Sequence, residues 1–323
     1  MKVGVIGAGA WGTALAQVAA SRGEPVLLWA REPEVVESVN GARENRLYLP
    51  HVTLGESITA TGDMAALTAC DLLLLVTPAQ HLRAVLAEAP SGVPIVLCAK
   101  GIEAGTGLLM SELAEEARPG VPVAVLSGPT FAHEVAQGLP TAITLACSDA
   151  TLGQQIAERL ARPGFRPYLS DDVIGAEIGG AVKNVLAIGC GVAEGAGLGL
   201  NARAALISRG FAEMTRFGLA RGARAETLAG LSGLGDLVLT CSSTNSRNFS
   251  LGKGLGEGQR AADLLANRRT VAEGAFTAPV LLAAAKKAGV EMPIVAAVCA
   301  LLEEAAPVEN VVEALLARPI RPE

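Results

Sequence analysis

The sequence predicts two domains: an α/β domain built on a doubly wound parallel sheet over residues 1–172, and an all-α domain over residues 173–323. Three observations carry this reading. Short, continuously apolar runs alternate with stretches of helical periodicity through the first half. A glycine-rich turn follows the first of those runs. From about Asp172 onward strand-like runs stop, and long Ala/Leu/Gly patterns of helical period take over. A length of 323 residues suits two domains.

Taken in order, Lys2–Ile6 reads as a buried strand, followed by the glycines and a helix over Trp11–Arg22. Pro25–Trp29 is a second strand and Glu32–Asn40 a second helix. Leu72–Val76 is a third strand, closed by Thr77-Pro78 and followed by a helix over Gln80–Glu88. Pro94–Cys98 and Val121–Leu126 are further strands on either side of a helix through Met110–Arg118. Gly128-Pro129 then leads to a short helix, and Thr141–Ala146 to one more strand. Uninterrupted apolar strands separated by helices indicate a parallel sheet covered on both faces. In the second half the helical patterns run over Ile174–Val192, Ala202–Gly218 and Thr277–Ala288, with glycine-rich joints at Glu194–Gly199 and Gly230–Gly235.

Composition narrows the function. The chain is 50% hydrophobic, 18% charged and 3% aromatic, which excludes a disordered or collagen-like protein. Mean hydropathy is +0.41. The longest uncharged run, Val3–Ser21, is broken by glycines, a Gln and hydroxyls, unlike a bilayer helix or the apolar core of a signal peptide. A soluble, unprocessed, cytoplasmic protein without membrane insertion is expected. The net charge is −6 and no basic stripe is present, so no nucleic-acid partner is expected. Six scattered cysteines form no Cys-x-x-Cys pair and read as reduced core thiols, and three separated histidines make a metal centre unexpected.

Gly7-Ala8-Gly9-Ala10-Trp11-Gly12 is a Gly-x-Gly-x-x-Gly turn between a strand and a helix. Gly7 makes the tight turn, Gly9 lets backbone approach a pyrophosphate, and Gly12 lets helix pack on strand. The helix N-terminus then faces the anion. This predicts a Rossmann-like dinucleotide site. The second strand ends Leu28-Trp29-Ala30-Arg31-Glu32. Arg31 at the position that reads the ribose favours NADP, with NAD the alternative if Glu32 serves the 2′-hydroxyl.

Polar residues recur where a core would not place them. Lys100 lies just beyond a parallel strand's carboxyl end, where open α/β sheets bind ligands. Ser127-Gly128-Pro129-Thr130 ends the next strand and can hold an anion or simply cap a helix. Lys183 is the sole charge between Glu177 and Glu194, beside Asn184: either a snorkelling lysine or an ammonium desolvated for proton transfer. An ammonium desolvated alone would cost folding energy, so Lys183→Ala would hold or raise stability, unless a structural ion pair is broken. Asp236, among glycines and apolar residues, is its plausible counter-charge, or a helix cap. Ser246-Arg247-Asn248, preceding a helix, is suited to a phosphate, or is a solvated loop.

Read together, Gly-Ala-Gly-Ala-Trp-Gly, Lys100-Gly101, Ser-Gly-Pro-Thr-Phe-Ala at 127–132, Gly-Gly-Ala-Val-Lys-Asn-Val at 179–185, Gly-Leu-Gly-Asp-Leu at 233–237 and Ser-Arg-Asn at 246–248 closely resemble the soluble NAD(P)-dependent glycerol-3-phosphate dehydrogenases of bacteria. The resemblance reaches Val-Glu-Met-Pro-Ile at 290–294. It implies Lys183 as proton donor and acceptor. Lys100, Gly128, Thr130, Asp236, Ser246, Arg247 and Asn248 would contact the triose phosphate. Ala10, Trp11, Arg31, Lys100, Ala132, Arg247, Val271 and Glu273 would contact the dinucleotide. The implied reaction is reversible reduction of dihydroxyacetone phosphate to sn-glycerol 3-phosphate, the precursor of phospholipid backbones. A homodimer is the expected assembly, given the apolar helical domain. Two rivals stand beside it. β-Hydroxyacid dehydrogenases carry Lys-x-x-Asn, whereas Lys183 and Asn184 are adjacent here. A non-catalytic dinucleotide sensor would leave Lys183 and Arg247 unexplained.

Overall fold

The computed structural model of the chain describes residues 1–266, 272–304 and 306–319. The chain divides into two compact units, Met1–Lys100 with Leu108–Glu177, and Gly101–Gly107 with Ile178–Glu323.

The first unit alternates strand and helix: β1 (Val3–Ile6), α1 (Ala10–Ala20), β2 (Val26–Trp29), α2 (Pro33–Ala42), β3 (Ile58–Thr61), β4 (Leu72–Leu75), α3 (Leu82–Glu88), β5 (Ile95–Leu97), α4 (Met110–Ala117), β6 (Val123–Ser127), α5 (Ala132–Ala136), β7 (Thr141–Cys147), α6 (Ala150–Leu160) and β8 (Phe165–Ser170). They form one eight-stranded sheet in the order β3-β2-β1-β4-β5-β6-β7-β8. β1 lies parallel between β2 and β4, with Val3 opposite both Val26 and Leu72. Every side chain of β1 and β4 is buried, because helices cover both faces. Alternation sorts them: Val3, Val5, Leu72 and Leu74 join one core cluster, while Ile6, Leu73 and Leu75 join another.

Three features depart from the sequence reading. β7 pairs antiparallel with β6, Ser127 opposite Thr144, so the sheet is mixed. The five-residue α5 is too short to cross the sheet, and the chain turns back along the neighbouring strand. β3 and β8 were not expected as strands. β8 buries only Phe165 fully and carries Pro167, as an edge strand does, so it lacks the apolar run that marks the centre. β3 is the other edge, Ile-Thr-Ala-Thr, with an outward Thr59.

The second unit, among the described residues, is helical. Its elements are α7 (Val173–Gly195, in this unit from Ile178), α8 (Gly199–Ala220), α9 (Ala225–Leu228), a π turn at Leu231–Gly235, α10 (Asp236–Cys241), α11 (Arg247–Gly256), α12 (Ala261–Ala266), α13 (Glu273–Lys287), α14 (Pro293–Leu302) and α15 (Val308–Leu316). α7 is long and apolar enough to cross a membrane, yet 89% of its most apolar window is buried within the fold, as in a core helix. Its glycines let α11 approach at backbone contact. A Cβ on Gly191 would strike the Phe249 carbonyl, and one on Gly252 the Ile188 carbonyl. This packing fixes the start of α11, and with it Arg247 and Asn248, against the helix that carries Lys183. α13 accommodates Pro279 in its interior, so the helix begins earlier than its apolar pattern suggests.

Candidate active site

The glycine turn is built as its spacing requires. Gly7 has φ +109°, and a Cβ there would lie 2.9 Å from the Val76 carbonyl oxygen. A Cβ on Gly12 would run into the Gly7 carbonyl, so the third glycine is the contact between loop and helix. Around Gly9 no atom lies within 4 Å of where a Cβ would stand. Gly9 is also the N-cap of α1 and supplies no side-chain cap. The first turn, with Ala10 and Trp11, thus has no side-chain cap, the arrangement that receives a phosphate. The Thr77 hydroxyl beyond β4 and the Ser127 hydroxyl ending β6 are buried without a hydrogen-bond partner, as is Nε1 of Trp11. Two orphaned hydroxyls at strand carboxyl ends fit a dinucleotide, whose riboses, phosphates and amide offer partners.

Arg31 follows β2 with a side chain 79% exposed, and its guanidinium meets Glu32 Oε1 at 3.2 Å. Tyr48 donates from its hydroxyl to the same oxygen at 3.4 Å, and burial, then the Glu32 charge, raises the Tyr48 phenol. Glu32 is the N-cap residue of α2 without capping it by its side chain. The sequence reading missed Tyr48 as the third member of this group.

Lys100 and the loop after β6 are brought together. Lys100 Nζ donates to the Gly128 carbonyl at 3.1 Å, and Thr130 Oγ1 donates to the same oxygen at 3.3 Å. Thr130 does not cap α5, whose N-cap is Phe131, and Ala132 opens that helix.

In the second unit Lys183 is 7% exposed and Asp236 1%. Nζ of Lys183 lies 2.7 Å from Asp236 Oδ1 and donates to Thr240 Oγ1 at 2.9 Å. Thr240 donates in turn to Asp236 Oδ1 at 3.2 Å. The ammonium is therefore neither snorkelling nor alone, but fixed on two sides within a buried triangle. Thr240 was missed; its signal was the four-residue spacing from Asp236 on α10, which stacks the two side chains on one helix face.

The Ser246–Asn248 group is ordered by helix ends. Ser246 Oγ caps α11, accepting from the Phe249 amide at 3.2 Å. Asn248 Oδ1 accepts from the Gly274 amide at 2.9 Å, at the start of α13 beside Glu273. With its oxygen used, the Asn248 amide nitrogen is the end left to donate. Arg247 is exposed at the first turn of α11. Val271 lies outside the described residues.

All six cysteines are free and buried. Burial pushes the Cys98 thiol up to about 12 and the Cys299 thiol to about 11, away from nucleophilic thiolate.

Comparison with known proteins places the chain in a family. Residues 2–153 match the family model of the NAD-dependent glycerol-3-phosphate dehydrogenase N-terminus, and residues 172–313 that of its C-terminus. The chain is 63% identical over 321 residues to glycerol-3-phosphate dehydrogenase (NAD(P)+) 1 of Sphingopyxis alaskensis, covering 99% of this chain and 97% of that protein. It is 64% identical over 324 residues to the glycerol-3-phosphate dehydrogenase (NAD(P)+) of Novosphingobium aromaticivorans, covering 100% and 98%. A crystal structure of glycerol-3-phosphate dehydrogenase from Coxiella burnetii, 39% identical, superposes with a TM-score of 0.94 over 98% of this chain and 99% of that one. A glycine loop on one unit and a buried lysine on the other thus stand within a whole-length match, and the chain belongs to the NAD(P)-dependent glycerol-3-phosphate dehydrogenase family.

Proposed function

We propose that this chain reduces dihydroxyacetone phosphate to sn-glycerol 3-phosphate with NADPH or NADH, reversibly, the first unit binding the dinucleotide and the second binding substrate. The observation that carries the reading is the Lys183 ammonium, buried and held by Asp236 and Thr240 in a chain that also bears the dinucleotide loop. The bound nicotinamide supplies the hydride. Lys183 gives a proton to the ketone oxygen as negative charge develops there, and takes it back in the reverse direction. Asp236 and Thr240 each engage Nζ and hold the ammonium in place. Asp236 also balances the ammonium charge within the buried triangle.

Arg247, the Asn248 amide nitrogen and Ser246 form the phosphate-binding group, a cation with neutral donors at a helix N-terminus. Lys100, Gly128 and Thr130 are further substrate contacts. Gly7, Gly9 and Gly12 shape the loop, and Ala10, Trp11, Arg31, Lys100, Ala132, Arg247, Val271 and Glu273 bind the dinucleotide. Its NADP preference rests on Arg31. The product serves phospholipid synthesis in the cytoplasm, a setting in keeping with six free thiols. A homodimer is supported by exposed Leu200 and Leu219 at the two ends of α8.

Initial rates with dihydroxyacetone phosphate, measured in parallel with NADPH and NADH, test the reading. Turnover with at least one cofactor is expected, with a higher kcat/KM for NADPH. Dinucleotide binding without turnover of this ketone would overturn it in favour of a sensor or a different dehydrogenase.

A further inference from the structure

The second unit carries a half-open cavity of about 900 Å³ that shares no residue with the Lys183, Asp236 and Thr240 triangle. Its wall is largely aliphatic, with Val192 of α7, Leu206 of α8, Ala297 and Leu301 of α14 and Leu315 of α15 among its lining. Its charged residues are Arg209, Glu213 and Arg216 on α8, Glu291 before α14 and Arg318 after α15. Three guanidiniums therefore face two carboxylates.

Both carboxylates are engaged. Glu213 accepts from the Ile294 and Val295 amides at the start of α14, at 2.7 and 3.3 Å. Glu291 meets the Arg318 guanidinium at 3.2 Å, and its carbonyl accepts from Arg216 at 3.2 Å. The three arginines are exposed, whereas Glu213 is 2% exposed. Positive charge thus collects at the rim and apolar surface inside. Burial pushes the Glu213 carboxyl up to about 7, which reduces opposing negative charge near neutral pH. A concave apolar cavity with a few convergent polar groups is how small-molecule sites are built.

We propose that this cavity binds a single-chain amphiphile with an anionic head group, the chain lying among the aliphatic side chains and the head at the arginine rim. A carboxylate and a phosphate share the required chemistry. The proposal concerns binding and stands independently of the reaction assigned to Lys183.

Isothermal titration calorimetry of the full chain with decanoate, decyl phosphate and decanol, all below micelle formation, tests it. Saturable one-to-one binding of at least one of the two anions is expected, and the tighter of them identifies the head group. Decanol should bind at least about tenfold more weakly, because it lacks the charge-assisted bonds to arginine. Ala297→Phe, which fills the chamber, should weaken the anion at least about tenfold while leaving basal turnover unchanged. If Ala297→Phe fails to fold, Ala205→Trp on α8 repeats the test from the opposite wall. Absence of saturable binding, equal binding of decanol, or unaltered binding by a folded filled variant would each overturn the proposal. So would a wild-type dimer that the filling substitution splits into monomers, since the face would then belong to a second copy of the chain.

Discussion

Asn248 and Gly274 are joined by a 2.9 Å hydrogen bond from the Gly274 amide to the Asn248 side-chain oxygen, which ties the start of α11 to the start of α13. The bond decides which end of the Asn248 amide remains for a ligand. Gly274 also allows close packing: a Cβ there would lie 2.5 Å from the Asn184 carbonyl oxygen and 2.8 Å from Asn248 Oδ1. Gly274→Ala should therefore push the two helix starts apart, costing roughly 1–3 kcal/mol of stability. It should also raise KM for dihydroxyacetone phosphate more than it lowers kcat. Urea denaturation and steady-state kinetics read the two effects, and an unchanged KM would separate Asn248 from phosphate binding.

The 2.7 Å contact between Lys183 and Asp236 reverses the stability expected for a lone desolvated lysine. Lys183→Ala leaves a buried carboxylate unbalanced, and Asp236→Ala leaves a buried ammonium. Each should cost about 3–5 kcal/mol, and the double substitution less than the sum. Urea midpoints of the three variants measure this. Additive losses would mean that the pair is not coupled.

Arg31 extends into solvent and, among the described residues, its guanidinium bonds Glu32 alone, at 3.2 Å, so it can turn to an added phosphate. Arg31→Asp should raise KM for NADPH far more than KM for NADH, because an acid in that place repels a 2′-phosphate and accepts from a 2′-hydroxyl. Equal changes for the two cofactors would remove Arg31 from the ribose site.

Glu213 gives the fold a pH dependence. Burial dominates over the two backbone amides that favour its charged form and raises the carboxyl from 4.5 to about 7. The folded state thus holds a proton that the unfolded chain releases. This contribution is complete below pH 4.5 and is lost as pH rises through about 7. Wild type should lose on the order of 3 kcal/mol relative to Glu213→Gln between those limits. Parallel denaturation curves for the two proteins across that range would contradict the assignment.

Much of this was legible in the sequence, for physical reasons that differ by residue. Gly7, Gly9 and Gly12 were readable because a tight turn between strand and helix admits few alternatives at that spacing. Lys183 was conspicuous as one charge in an apolar helix, and Asp236 as an acid among glycines. Thr240 was not, since a hydroxyl near a helix end has many uses and its place beside Nζ depends on how α7 and α10 pack. β3 and β8 escaped because edge strands face solvent and lack a continuous apolar run. The reversal at β7 depends on the length of α5 rather than on the strand's own residues. Glu213 reads in sequence as one more solvated charge on a helix; only the docking of α14 onto it makes it buried. The cavity is assembled from residues of α7, α8, α14 and α15, and no local pattern announces it.

The proposed chemistry requires Lys183 to exchange a proton with the substrate oxygen. Single-turnover reduction of dihydroxyacetone phosphate by Lys183→Ala, alongside fluorescence titration of the same variant with NADPH, tests that claim most directly. The reduction rate should fall roughly 10²–10⁴-fold or more, because proton transfer and alkoxide stabilisation disappear together, with NADPH affinity retained. A folded variant that reduces the ketone at a near-native rate would contradict it.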